Sequence, residues 1–293
     1  MHKLIGWIAS YRHRTAIVAA ALAGLPFLMM FSAGLIVMTV LRGGLRDGLL
    51  VTGGATLVIA VVQGITQGPM QLALMNALIV WLPAVGLAVV LLRTRSLSLC
   101  LQLVTVLGMA AVGVFWLATG DPASWWQPII AETYVPIMLE LNPALDGDLL
   151  AQSLARLMTG AVVAGLLMTL FIGLLAGRWL QAVLDRPGAF AEEFRLLKQG
   201  RVVGILAALV FVAAGILAYP ILQNLVMVLV AAFLLQGLAL AHWLVKSRSM
   251  SGGWLVGLYT ILVVAVPWSL VFVAASGFMD NWLEIRKADA REA

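Results

Sequence analysis

After Arg201 the chain reads Val202-Val-Gly-Ile-Leu-Ala-Ala-Leu-Val-Phe-Val-Ala-Ala-Gly-Ile-Leu-Ala218. Tyr219-Pro220 follows, and then Ile221-Leu-Gln-Asn-Leu-Val-Met-Val-Leu-Val-Ala-Ala-Phe-Leu-Leu-Gln-Gly-Leu-Ala-Leu-Ala-His-Trp-Leu-Val245. No Asp, Glu, Lys or Arg interrupts the stretch before Lys246. A bilayer core about 30 Å thick takes about 20 apolar residues of helix. Lipid satisfies no free backbone group, so a lipid-facing segment of this kind must be helical or close into a barrel. Strict period-two alternation is absent, which leaves two membrane helices, at 202–218 and 221–245.

Working outward, comparable runs occupy 15–41, 49–67, 70–92, 96–118, 154–177 and 253–276. Of the 293 residues, 63% are hydrophobic and only 11% charged, with mean hydropathy +1.05. Soluble domains carry about 25% charged residues, and a soluble monomer this poor in charge would expose large apolar patches to water. The expected fold class is therefore all-α: a polytopic transmembrane helix bundle of eight or nine membrane helices, in one integral membrane domain.

Charge orients the chain. The connectors at 42–47, 93–95, 178–201 and 246–252 hold Arg or Lys. The long segment 119–152 holds Asp121, Glu132, Glu140, Asp146 and Asp148 without one Lys or Arg. Short basic connectors stay cytoplasmic, so 119–152 is expected outside, and strict alternation of the spans between agrees. Lys3, Arg12 and Arg14 precede the first run, which Pro26 interrupts near its middle. Two short helices there return a basic N-terminus to the cytoplasm. Nine segments then leave the C-terminus outside, although the charges of the tail 277–293 do not fix its side. The expected location is a bacterial inner membrane. The net charge of +5 is not gathered into a basic patch, so no nucleic-acid partner is expected.

Catalytic constellations are missing from the sequence. His2, His13 and His242 have no second ligand at metal spacing. No nucleophile elbow or phosphate-binding Gly-Lys-Ser/Thr loop occurs, and no carboxylate pair lies within a run to suggest a proton path. Neither an enzyme, a cofactor nor a metal site is expected. The lone Cys100 cannot form an internal disulfide.

Polar side chains in or near the runs are Asn76, Gln102, Asn224, Gln236 and His242. Each can serve as a helix–helix hydrogen bond. Alternatively Asn76, with Trp81 and Pro83, lines a small-solute pocket. Pro83 also deprives the carbonyl near Ile79 of its helical donor. Small-xxx-small spacings, Gly44 with Gly48, Gly173 with Gly177 and Gly253 with Gly257, permit close helix approach; the first of them sits where a turn is also expected.

Two amphipathic segments stand outside the runs. Trp125, Trp126, Ile129, Ile130, Tyr134, Ile137, Met138 and Leu141 recur at helical spacing. They predict an outer interfacial helix broken at Pro128 or Pro136, either a cap over the bundle or a lid or dock. On the inner side, Pro187-Gly188 marks a turn. Beyond it Phe190, Phe194 and Leu197 share a face beside Glu193, Arg195 and Lys198. With Arg178 and Trp179, and with Asp280 and Arg286 after the last run, these form a candidate interface for lipid headgroups or a cytoplasmic protein.

Several motifs carry a resemblance. They are Leu41-Arg42-Gly43-Gly44, Trp81-Leu82-Pro83, Arg93-Thr94-Arg95-Ser96-Leu97, and Arg178-Trp179-Leu180-Gln181. Further on come Arg186-Pro187-Gly188-Ala189-Phe190, Glu193-Phe194-Arg195-Leu196-Leu197-Lys198, and Gly277 with Asp280 and Arg286. In that order they resemble the YybS-like family of bacterial membrane proteins, with Arg186, Ala189 and Lys198 replacing the family's Asn, Gly and Arg. Residues 15–178 also resemble, more distantly, the substrate-binding S-components of energy-coupling-factor transporters. That resemblance implies a short first helix pair, a bound solute and a separate energising partner. Residues 179–201 are then a cytoplasmic interfacial segment and 202–276 additional spans. Two functions follow as expectations: a solute-binding transporter-type subunit, or a scaffold for cytoplasmic or envelope proteins. A cysteine introduced at Asp146 should react with an impermeant maleimide in intact inner-membrane spheroplasts, and one at Arg186 should not; the reverse labelling overturns the orientation.

Overall fold

The computed structural model describes residues 2–69, 71–283 and 286. Met70, which opens one expected run, and residues 284, 285 and 287–293 of the expected polar tail lie outside them. All regular elements among the described residues are helical. Six are long and apolar enough to cross a membrane: Met29–Thr66, Ala73–Thr94, Leu97–Thr119, Gly147–Asp185, Gly200–Leu217 and Pro220–Ser247. Their outward faces are apolar. Val202, Ile205, Leu209, Val212 and Ile216, at spacings of three and four, are all exposed. An apolar stripe turned outward suits lipid and not water. The chain is an all-α protein with the spans of a multi-pass membrane protein.

Contacts divide the chain into two compact units, Met1–Leu101 with Met168–Leu197, and Gln102–Leu167 with Lys198–Ala293. In the first unit, α1 (His2–Ala9) leads into α2 (Arg12–Ala23). The run 15–41 does break: the helix stops at Gly24, a short 3-10 turn covers Pro26–Leu28, and α3 (Met29–Thr66) begins. α2 buries Thr15, Ala16, Ala19, Ala20 and Ala23, a face of small side chains that lets α3 lie close. Ser32 Oγ donates to the Ala19 carbonyl at 2.7 Å, and Trp81 Nε1 donates to Ser32 Oγ at 3.0 Å. These two bonds join three segments in a buried chain.

α4 (Gln71–Asn76) and α5 (Leu82–Thr94) are separated by a π-helical turn, Ala77–Trp81. Pro83 has no N–H for the carbonyl of Ile79, and the backbone accommodates it by widening: Leu82 N–H donates to Ala77 five residues back. Against the second half of α9 (Gly147–Asp185), α3 makes a small-residue contact. A Cβ on Gly34 would lie 3.0 Å from Ala176 Cβ and 3.3 Å from the Gly173 carbonyl; one on Gly177 would lie 2.6 Å from the Gly34 carbonyl. The expected Gly173–Gly177 pair is thus a backbone-to-backbone contact. The Gly253–Gly257 pair is not, since nothing lies within 4 Å of a Cβ on Gly257.

The second unit contains most of α6 (Leu97–Thr119), then α7 (Pro122–Thr133) and α8 (Val135–Leu141), the start of α9, and everything after Leu197. The segment between α6 and α9 forms the expected interrupted helix. Asp121 caps α7 by accepting from Ala123 N–H at 3.1 Å, and the break falls at Tyr134, before Pro136, while Pro128 stays inside α7. Ile130 and Val135 pack on Ala151 and Ala155 of α9, and Trp126 Nε1 donates to Thr159 Oγ1 at 2.9 Å.

After α10 (Ala189–Arg195), α11 (Gly200–Leu217) and α12 (Pro220–Ser247) form an antiparallel pair about Tyr219-Pro220. Asn224 fastens α12 to α9: its Oδ1 accepts from Gly160 N–H at 2.5 Å while its Nδ2 donates to the Arg156 carbonyl at 2.9 Å. The last run, expected as one span over 253–276, is instead two helices, α13 (Gly253–Val264) and α14 (Trp268–Leu283). Pro267 lacks a donor and crowds the preceding turn, so the helix does not continue through it. α14 runs antiparallel to α11, with Gly204 beside Asn281 and Trp282 and Phe211 beside Phe278. Its end therefore meets the start of α11, where Lys198 Nζ lies 3.6 Å from Asp280 Oδ1.

Close approach at glycine should be selective. Gly177→Leu should lower stability in detergent by about 1–3 kcal/mol or more, as overpacking does, while Gly257→Leu changes it little. Thermal unfolding of both variants, followed by size-exclusion retention, checks the contrast.

Candidate functional site

The first unit holds a cleft built around one glycine. At Gly44, φ is 80° and ψ −177°, a backbone combination that essentially only glycine adopts. The helix α3 bends there, and charged residues flank the bend. Arg42 Nε lies 3.1 Å from Asp185 Oδ1 at the end of α9. Asp47 Oδ1 lies 2.7 Å from Arg12 Nη2 at the start of α2. Between them opens a half-open cleft of about 490 Å³, lined also by Ser10, Thr15, Thr39 and Gly43. Its size is in the range of small-molecule sites. Arg12 is 57% exposed and Asp185 41%. Pairs this accessible are worth only about 0–1 kcal/mol each, so they hold the cleft's charges in place without sealing them off.

The residues of the 178–201 connector lie close by in sequence but have other tasks. Arg178 grips Glu193 with two bonds, Nε to Oε2 at 2.8 Å and Nη2 to Oε1 at 2.5 Å, and donates to Gln181 Oε1 at 3.2 Å. This forked pair folds α10 back onto the end of α9. Gly188, with φ 93°, makes the turn after Pro187. Phe190 and Phe194 stack on each other with centroids 5.8 Å apart, Trp179 is part-exposed, and Arg195 Nε donates to the Ala191 carbonyl within its own helix.

Asp280, Arg286 and Lys198 come together in the second unit, away from any exposed face. Asp280 is fully buried. Its Oδ2 lies 2.9 Å from Arg286 Nη2 and accepts from Gln236 Nε2 at 3.1 Å, with Lys198 on the other oxygen. Gln236 Oε1 accepts from Gln199 N–H at 2.7 Å, and Gln199 Nε2 donates to Thr105 Oγ1 at 2.8 Å. Among the described residues, Gln199 Oε1 and Asn281 Nδ2 are buried with no hydrogen-bond partner. Burial pulls the Arg286 guanidinium below its ordinary value and Asp280 pushes it back; a guanidinium remains charged in either case. The network is assembled by close packing of α12 and α14. A Cβ on Gly277 would lie 2.6 Å from Gly237 N and collide with the Phe233 carbonyl.

Of the residues expected at a solute pocket, Trp81 is fully buried with its N–H committed to Ser32, Pro83 follows the π turn, and Asn76 ends α4 half-buried. On the expected outer helix, Trp125 and Tyr134 are exposed and Trp126 is tied to Thr159. Trp125 meets Trp126 edge-on at 4.6 Å. Sequence reasoning treated Arg12, Arg42 and Asp47 as connector charges and gave Asp185 and Gln199 no role. Opposite charges recurring at the ends of successive apolar runs were the available signal. No protein-family model, curated protein or solved structure matches the chain.

Removing the carboxylate at the buried network leaves Arg286 facing only amides and a like charge. Asp280→Asn should therefore destabilise the protein by about 3–5 kcal/mol, the usual loss when one partner of a buried ion pair is deleted. Lys198→Gln, at the longer and more exposed contact, should cost far less. Unfolding in detergent measures both.

Proposed function

We propose that this chain is a transporter-type subunit of a bacterial inner membrane that binds a small polar solute in the Gly44 cleft. The observation that carries the reading is the cleft itself: two arginines and two aspartates held on three helices around a permanent bend. The cleft's charged groups stay within reach of water, so a polar solute can exchange for them at little cost. The arginines of the connectors at this end support a cytoplasmic position for the cleft by the positive-inside rule.

In this reading eight or nine membrane segments are counted by taking α2 and α3 as a short pair and α3 again beyond its bend. The YybS-like motifs and the S-component-like first part belong to the same proposal, with a separate protein supplying energy. The scaffold alternative draws on less. Its expected docking element, α10, is folded back by Arg178 and Glu193, with its two phenylalanines stacked on each other.

The test is retention of a small molecule. Native mass spectrometry of the full-length protein in nanodiscs should show one low-mass polar adduct per chain, reduced at least about tenfold in Asp185→Asn. A wild-type protein that carries and binds no polar solute, with unaltered uptake in the deletion strain, overturns the proposal.

A further inference from the structure

Resting on the reading of the Gly44 cleft as a solute site, its polar groups define what kind of solute fits. Arg12 and Arg42 supply two positive charges, and Asp47 and Asp185 supply two negative ones. The sum is zero. A ligand with one net charge would leave an imbalance among groups only partly bathed in water, whereas a neutral ligand with separated charges leaves none.

The three lining hydroxyls narrow the choice. Ser10 Oγ donates to the Gly6 carbonyl at 2.6 Å, Thr15 Oγ1 to Ile8 at 2.9 Å, and Thr39 Oγ1 to Leu35 at 2.9 Å. A hydroxyl has one hydrogen, and each of these is committed to a backbone carbonyl, so none of the three has a hydrogen left to give a ligand. The two carboxylates likewise only accept, and the guanidiniums only donate. The side-chain lining is therefore rich in acceptors on one hand and holds two forked donors on the other. An ammonium with its own N–H groups answers the first, and an oxyanion, gripped in two-point fashion by arginine, answers the second. The existing Arg–Asp pairs are exposed enough that exchanging a partner for a ligand group costs little.

We infer that the cleft binds a zwitterion carrying a primary ammonium and a singly charged oxyanion. Such a group occurs free in solution and also as the headgroup of an ammonium-bearing phospholipid, and the half-open cleft at a membrane helix end admits either source.

The experiment uses the full-length protein in nanodiscs of phosphatidylglycerol, titrated with glycerophosphoethanolamine, dimethyl phosphate, ethanolamine and glycerophosphocholine. Glycerophosphoethanolamine should bind at least about tenfold tighter than the simple anion, the simple cation, or the choline compound, which lacks N–H. The paired variant Arg42→Gln with Asp185→Asn, which keeps the cleft neutral, should lose that preference. If added phosphatidylethanolamine in the disc competes with the probe, the source is the lipid headgroup; if the probe binds equally in its presence, the source is a free solute. Dimethyl phosphate or ethanolamine binding as tightly as the zwitterion overturns this inference and leaves the solute-site reading standing, as does a preference that persists in the paired variant. No binding by any probe overturns the inference, and the adduct measurement above then decides the solute reading separately.

Discussion

Backbone groups in lipid have no solvent to bond with, and several irregularities among the described residues answer to that constraint. Where proline removes a donor, the backbone answers locally. The turn before Pro83 widens to a π turn, and the break at Pro267 divides the last apolar run into α13 and α14. Where a helix is entered from the side, as Asn224 enters α9, one amide supplies both a donor and an acceptor to the same helical turn. The bend within α3, at Gly44, lies beside charged residues, where water can reach the backbone.

Lipid also removes the ordinary hydrophobic drive for packing helices together, so contact depends on how closely backbones approach. Small residues do this in both units. In the first, Gly34, Gly173 and Gly177 bring α3 against α9, and the Ala-rich face of α2 lies against α3. In the second, Gly237 and Gly277 bring α12 against α14. Each approach carries chemistry to a fixed place. The first helps hold Arg42 near Asp185, and the second delivers Asp280 to Gln236 and Arg286. The two charged assemblies differ in kind. The cleft is open and its pairs are weak and exchangeable. The Asp280 network is closed, and its strength lies in what its loss would leave unpaired.

Much of the fold was legible beforehand because its signals are local. Run length, absence of charge and the position of Pro26 and Pro136 read directly as helices and their breaks. The last run misled because Pro267 is a single residue within an otherwise continuous apolar stretch. The Gly253–Gly257 spacing misled because a small-residue pair says only that close approach is permitted. The hydrogen bond from Trp81 to Ser32 was not legible because the two residues lie far apart in sequence.

Composition and charge by themselves determined that this is a helical chain with the apolar spans of a multi-pass membrane protein, with arginine and lysine in several connectors and acids alone in the segment 119–152. Those properties depend on each segment's own free energy of transfer from water to lipid, which needs no knowledge of neighbours. The tertiary structure alone decided which charges share a cleft, which are buried together, and to which end the last helix returns. Arg42 and Asp185, or Gln236 and Asp280, are distant along the chain, and their meeting depends on helix crossings fixed by glycine contacts between segments.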